Sequence, residues 1–218
     1  MRAGARSATG EQRVAIDDSR AVNLIGAAVR DFLAVQPGAQ PIIVCIGTDR
    51  STGDALGPLV GTQLERELVG TVTVFGTLER PVHAGNLSEC LQRMQQLAFP
   101  KAVIAVDACL GSLESVGTVT LGPGPLRPGA GVNKNLPPIG DFCLTGVVNV
   151  GGFMEYFVLQ NTRLSLVVRM AKVIADGISF GLRLLGGELE AAAAQGGPAG
   201  ECPRHSEATE SEGQNRQI

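Results

Sequence analysis

Two runs of strand length with no polar side chain, PIIVCI at 41–46 and AVIAV at 102–106, constrain this chain more than any other feature. Half-buried antiparallel strands alternate apolar with polar residues, whereas strands of a parallel sheet are covered on both faces and read as continuous Val/Ile/Ala runs. Helical patterns lie between the strand-like segments. Val22, Ile25, Val29, Phe32 and Leu33 recur at helical spacing behind Asp17 and Asp18, and Pro37-Gly38 closes that helix. Residues 58–69 are expected to be helical and 71–75 (TVTVF) a strand. Asn86, with Glu89 three residues on, opens a helix that stops before Pro100. VGTVTL at 116–121 alternates as an edge strand does, and LTGVVNV at 144–150 supplies one more strand. From Asn161, the set Leu164, Val167, Val168, Ala171, Ile174, Ile178, Leu182 and Leu185 describes a long amphipathic helix. The expected architecture is an α/β three-layer sandwich with a mainly parallel central sheet.

Residues 1–16 are polar and Gly/Ala/Arg-rich, and 187–218 carry Gly, Pro, Ser, Glu and Gln without periodicity, so both are expected to be disordered around one domain spanning 17–186. The net charge of -3 divides unevenly, the tail from Gly187 holding six acids against Arg204 and Arg216, which leaves the body at +1. A nearly neutral body with three lysines lacks the basic footprint that nucleic acid requires. The five cysteines (45, 90, 109, 143, 202) form no C-x-x-C, and three sit in or beside apolar strands, which fits buried reduced thiols in a cytoplasmic protein. There is no apolar signal region at the N-terminus and no run of roughly 20 apolar residues that a membrane helix needs.

In open parallel sheets ligands bind beyond the carboxyl ends of the strands. Two loops there carry carboxylates: Gly47-Thr48-Asp49-Arg50-Ser51-Thr52-Gly53-Asp54-Ala55-Leu56-Gly57-Pro58 after the first parallel strand, and Asp107-Ala108-Cys109 after the third. Asp54 could cap the next helix, but Pro58 suits the first helical position and makes Gly57 the expected cap, which frees the Asp54 side chain. Asp107 could instead accept N–H bonds from its own turn. Two aspartates on neighbouring loops could share a proton as acid and base on a water, or bind a hard divalent cation with Thr, Ser or carbonyl oxygens; spacing does not separate these chemistries. The Gly-rich loop has neither phosphate-binding signature, and no G-x-S-x-G elbow is present. With His205 in the tail, His83 is the only histidine available to a folded site, which excludes multi-His zinc; a lone loop histidine is most often solvated. The Gly- and Pro-rich loop 122–141 is expected to be a flap over the strand ends, with Arg127 and Lys134 attracting an anionic partner or Asn133 and Lys134 contacting peptide backbone.

Three segments together resemble the germination (spore) protease family, most closely its YyaC-type sporulation relatives: Cys45 to Pro58 with its D-A-L-G-P, Ala105-Val106-Asp107-Ala108, and Arg127-Pro128-Gly129-Ala130-Gly131-Val132-Asn133-Lys134. The resemblance covers about residues 40–180. It implies the α/β sandwich also found in hydrogenase maturation endopeptidases, and an atypical aspartate-dependent peptidase acting on small acid-soluble spore proteins in the forespore or spore core. Carried over by motif, the two catalytic aspartates are Asp54 and Asp107, with Thr48, Arg127, Gly131, Asn133 and Lys134 on the substrate side. The hydrogenase-type relatives have an acidic residue before the Gly-Thr that follows the second strand and a histidine in the late loop. Here Val74-Phe75 precede Gly76-Thr77 and residues 122–141 hold no histidine, so neither a metal nor another cofactor is expected. The expected partner is a protein or peptide substrate, with self-association into a homo-oligomer left open. A non-catalytic sporulation protein that keeps the fold for binding is the alternative.

Overall fold

The computed structural model describes residues 10–128 and 136–195, with side-chain surroundings to residue 187. The strands are β1 (Gln12–Ala15), β2 (Gln40–Cys45), β3 (Thr73–Phe75), β4 (Lys101–Gly111), β5 (Thr118–Pro123) and β6 (Phe142–Val150), and the helices α1 (Ala21–Ala34), α2 (Leu56–Glu67), α3 (Leu87–Gln95), α4 (Glu155–Gln160) and α5 (Leu164–Gln195). The strands form one sheet in the order β1-β5-β6-β4-β2-β3. β3, β2, β4 and β6 run parallel, while β5 is antiparallel to both β6 and β1. The expected α/β sandwich with a mainly parallel sheet is the fold observed.

Period-two alternation sends the two halves of each central strand to different cores. Ile43, Cys45, Ile104, Val106 and Leu144 pack with α1, α2 and α5, burying Ile25, Leu64, Met170 and Ile174 among others. Ile42, Val44, Val103 and Ala105 pack beneath α3 with Leu87, Cys90 and Met94. α1 and α5 cross so closely that a Cβ on Gly181 would meet the Gly26 carbonyl and one on Gly177 would meet Ile25, so these small residues set the helix separation. No described helix is long and apolar enough to cross a membrane.

Four expectations change. Residues 12–15 are not structureless: they form β1, paired with Thr118–Leu121, and Val14 and Ile16 are buried. β5 is consequently interior and β1 the sheet edge, because β5's alternating pattern offered a free ladder that this short segment fills. The last helix runs to Gln195, past the expected boundary at 186. The described parts of loop 122–141, residues 122–128 and 136–141, are not flap-like: they continue the β5–β6 hairpin through a Leu126–Ile139 bridge and lay Leu126, Leu136 and Ile139 on the α3-side core.

Candidate functional site

β2 ends at Cys45, and Ile46 is held on both sides, its N–H donating to Val106 and its backbone bridging Val82. The next N–H, of Gly47, donates to the Val82 carbonyl at 2.8 Å. The chain then loops back so that the Thr48 N–H donates to the Asp54 carbonyl at 3.1 Å. This closure needs glycine at 47: φ is +142°, and a Cβ there would collide with the Asp54 carbonyl oxygen. A short 3-10 turn, Gly53–Ala55, carries Asp54 into α2, which begins at Leu56. Gly57 is therefore not the cap expected from Pro58. It lies inside the first turn, where the absent Cβ lets the helix abut the Ile46 carbonyl.

Asp107 lies in β4 opposite Thr145, one residue beyond the point where Cys45 pairs with Val106. β4 continues to Gly111, so Asp107 lies within the strand and not in the expected loop and turn beyond it; one of its carboxylate oxygens accepts the Ala108 N–H at 2.8 Å. Burial, and after it the negative charge of Asp54, push the Asp107 carboxyl well above the ordinary value of 3.8, against the pull of the Ala108 N–H. Burial also raises Asp54, opposed by the His83 ring and the Thr48 N–H. The two carboxylates thus lie within electrostatic reach of each other, and burial favours the protonated form of both.

His83 is the residue that sequence reasoning undervalued. It follows Val82, which Gly47 fixes beside the end of β2, and it is locked by its own turn. The His83 N–H donates to Asn86 Oδ1 at 2.8 Å, while the Gly85 N–H donates to His83 Nδ1 at 3.1 Å. The only local signal was Asn86 three residues after His83; the placement itself comes from the Val82–Gly47 bond. His83 and Asn86 also line a cavity of about 500 Å³ between the end of β3 and α3, with Arg80 and Arg93 at its wall.

The structure brings Asp54, Asp107 and Thr48 together and adds His83. Arg127 is exposed, on a hairpin that departs where Pro123 faces Phe142, the opposite end of β6 from Val150. Gly131, Asn133 and Lys134 lie outside the described residues. Ser51 Oγ, in the Asp54 loop, is buried without a hydrogen-bond partner, a donor still open to a polar group. Among the described residues no group of three or more His, Cys, Asp or Glu side chains could hold a metal ion. The cysteines among the described residues are poor nucleophiles: burial, then the Asp107 charge, push Cys109 up to about 11, and Cys45 is raised by burial alone. The arrangement suits acid–base chemistry on a water.

Comparison with known proteins gives a partial structural likeness and a close sequence relative. The crystal structure of a [NiFe] hydrogenase maturation protease, HycI from Thermococcus kodakarensis KOD1, aligns with a TM-score of 0.42 at 19% identity, covering 69% of this chain and 98% of that one. The Bacillus subtilis (strain 168) protein YyaC is 51% identical over 170 residues, 78% of this chain and 83% of that protein. Residues 13–177 match the family described as a protein of unknown function, DUF1256, and the chain belongs to that family.

Proposed function

We propose that this protein is an aspartate-dependent peptidase of the germination-protease type, in which Asp54 and Asp107 activate water against a peptide bond. The observation that carries this reading is the placement of two buried carboxylates within electrostatic reach of each other, Asp54 on the loop that closes onto the end of β2 and Asp107 on the neighbouring strand β4. Asp107, the more strongly raised, is the acid; Asp54, beside the His83 ring, is the base. Asp54 takes a proton from water as the water oxygen attacks the carbonyl carbon, and Asp107 gives its proton to the carbonyl oxygen. The resulting diol collapses with cleavage of the C–N bond, the proton on Asp54 passing to the leaving amine and Asp107 recovering its own. Ser51 Oγ supplies a free donor in the same loop. On this reading the substrate is a protein or peptide, with small acid-soluble spore proteins the class implied by the family resemblance, and the setting is the forespore.

The test is cleavage of such a spore protein by purified full-length protein beside Asp54→Asn and Asp107→Asn. Each variant is expected to lose about 10²–10⁴-fold in rate. Cleavage unchanged by both substitutions ends the dyad proposal, and cleavage by none of the three proteins favours the binding role. His83→Gln sharpens the assignment: without the ring Asp54 binds its proton more tightly, so the acidic limb of the pH–rate profile moves to higher pH.

A further inference from the structure

Asp107 does not stand alone on its side of the sheet. Residues directly opposite each other in neighbouring strands point to the same face, and the register carries one such row across four strands. Arg13 of β1 lies opposite Thr120 of β5, Thr120 opposite Thr145 of β6, and Thr145 opposite Asp107 of β4. Their chain neighbours Val14, Leu121, Leu144 and Val106 enter the core under α1, α2 and α5, so the row points the other way, toward the face on which α3 packs. The α3-side core takes in Val103, Ala105 and Cys143 but no member of the row. Arg13 is exposed, and Thr120 and Thr145 keep part of their surface in water.

The row is chemically open. Thr118, on the same face of β5, donates its hydroxyl to the Ser115 carbonyl at 2.7 Å. The Thr120 and Thr145 hydroxyls make no such bond among the described residues, and neither is sealed from solvent, so each can donate to and accept from a ligand. Arg13 likewise has no carboxylate partner among the described residues. Glu11, on the same face of the chain, is directed instead to Gly122 and Cys143. The Arg13 guanidinium is felt by the Cys109 thiol on β4, so the positive head reaches inward over the strands. Neighbouring strands lie about 4.8 Å apart, which separates the Cα positions of Arg13 and Asp107 by roughly 14 Å. An extended peptide advances about 3.3 Å per residue, so the guanidinium meets it about two to four residues from a bond held at Asp107. One cation at the end of a row of hydroxyls suits a single carboxylate; a polyanion would find no second cation there and would be repelled by the Asp54 and Asp107 pair.

Resting on the peptidase reading, we propose that the open sheet face from Asp107 to Arg13 is the substrate track of that enzyme, on which Thr145 and Thr120 hydrogen-bond the backbone of an extended peptide and Arg13 binds a carboxylate of it. The carboxylate is an acidic side chain or the peptide's own C-terminus, about two to four residues from the scissile bond. Arg13 is the specificity-determining residue and touches none of the reacting atoms. Its ion pair is made equally in the ground state and the transition state, so it acts on KM and not on kcat.

The test uses full-length protein and a tryptic digest of a bacterial lysate, with cut positions read by mass spectrometry. Peptides cut by the wild type are expected to carry Asp, Glu or their C-terminus at one fixed distance from the cut, about two to four residues away. One such peptide, resynthesised with the acid replaced by its amide or with an amidated terminus, tells the two sources of the carboxylate apart. Arg13→Gln is expected to raise KM for the carboxylate peptide about three- to tenfold with kcat retained, and Arg13→Lys to restore most of that loss. Thr145→Val, which removes a hydroxyl and keeps the shape, should raise KM for the acid and amide peptides alike. Cleavage with no carboxylate at a fixed distance, or a preference that Arg13→Gln keeps, overturns the track and leaves the peptidase reading intact. Where nothing is cut, retention of the digest on immobilised protein decides. Peptides held by the wild type and by Arg13→Lys but not by Arg13→Gln support the track as a peptide-binding face, and the catalytic reading alone falls. Peptides held equally by all three proteins, or by none, overturn it.

Discussion

α4 and α5 are neighbours in sequence and similarly apolar, but their side chains meet opposite fates. α5 places Val167, Met170, Ile174 and Ile178 in the core with no exposed area, while α4 leaves Tyr156 and Phe157 in solvent and rests on the turn that holds Asp54. The difference separates two kinds of hydrophobic residue that composition cannot tell apart. One kind stabilises the sheet; the other stays in solvent on a short helix that rests on the turn holding a buried carboxylate, and burial of a carboxylate and exposure of aromatics both oppose stability.

Substitutions test that division. The largest contrast should come from Asp54→Asn, which on the proposed peptidase reading lowers turnover by about 10²–10⁴-fold, yet leaves the urea midpoint at neutral pH unchanged or higher, because burial already disfavours the charge it removes. A sharp loss of stability would put Asp54 on the structural side of the comparison. Ile174→Ala should do the reverse and cost about 2–5 kcal/mol in denaturant unfolding, with turnover per folded molecule retained; Ile174 is fully buried against the sheet.

A subtler contrast lies in pH. The Asp107 pKa is raised on folding, so the folded state binds the extra proton, and the stability this gives is present in full below the unfolded value of 3.8 and lost as pH rises through the folded value. Thermal unfolding followed upward from pH 3.8 should show that decline in the wild type and less of it in Asp107→Asn. Equal slopes would mean that Asp107 is solvated like an unfolded carboxylate. Smallest of all, Phe157→Ser should shift the unfolding free energy by no more than about 0.5 kcal/mol; a core-sized loss would show that α4 is packed after all.

The central sheet was legible because 41–46 and 102–106 can only be strands covered on both faces. β1 was not: QRVA buries Val14 but keeps its other side chains at least partly in contact with water, and its reason to be a strand is the open edge of β5 about a hundred residues away. The carboxylate pair could be read because strand ends predict where ligands sit, although only Asp54 stands in a loop beyond one: β4 runs four residues past Asp107, further than its apolar run shows. His83 was undervalued because its placement depends on Val82 meeting Gly47, a long-range backbone bond with no sequence signature. The loop at 122–141 was expected to be a flap from its Gly and Pro content, but Leu126 and Ile139, thirteen positions apart, find each other across the hairpin and carry its described base onto the α3-side core.

The close α1–α5 crossing, which rests on Gly26, Gly177 and Gly181, also bears on the order of assembly. Asp17, just ahead of α1, meets Arg169 of α5 across 152 residues of chain. Loop-closure entropy over that span is not recovered until α5 is in place. A nascent chain leaving the ribosome would therefore carry the Ile25 and Val29 stripe of α1 without its cover until nearly the whole domain has been translated. The turn bearing Asp54, seated between β2 and α4, would likewise reach its final form late.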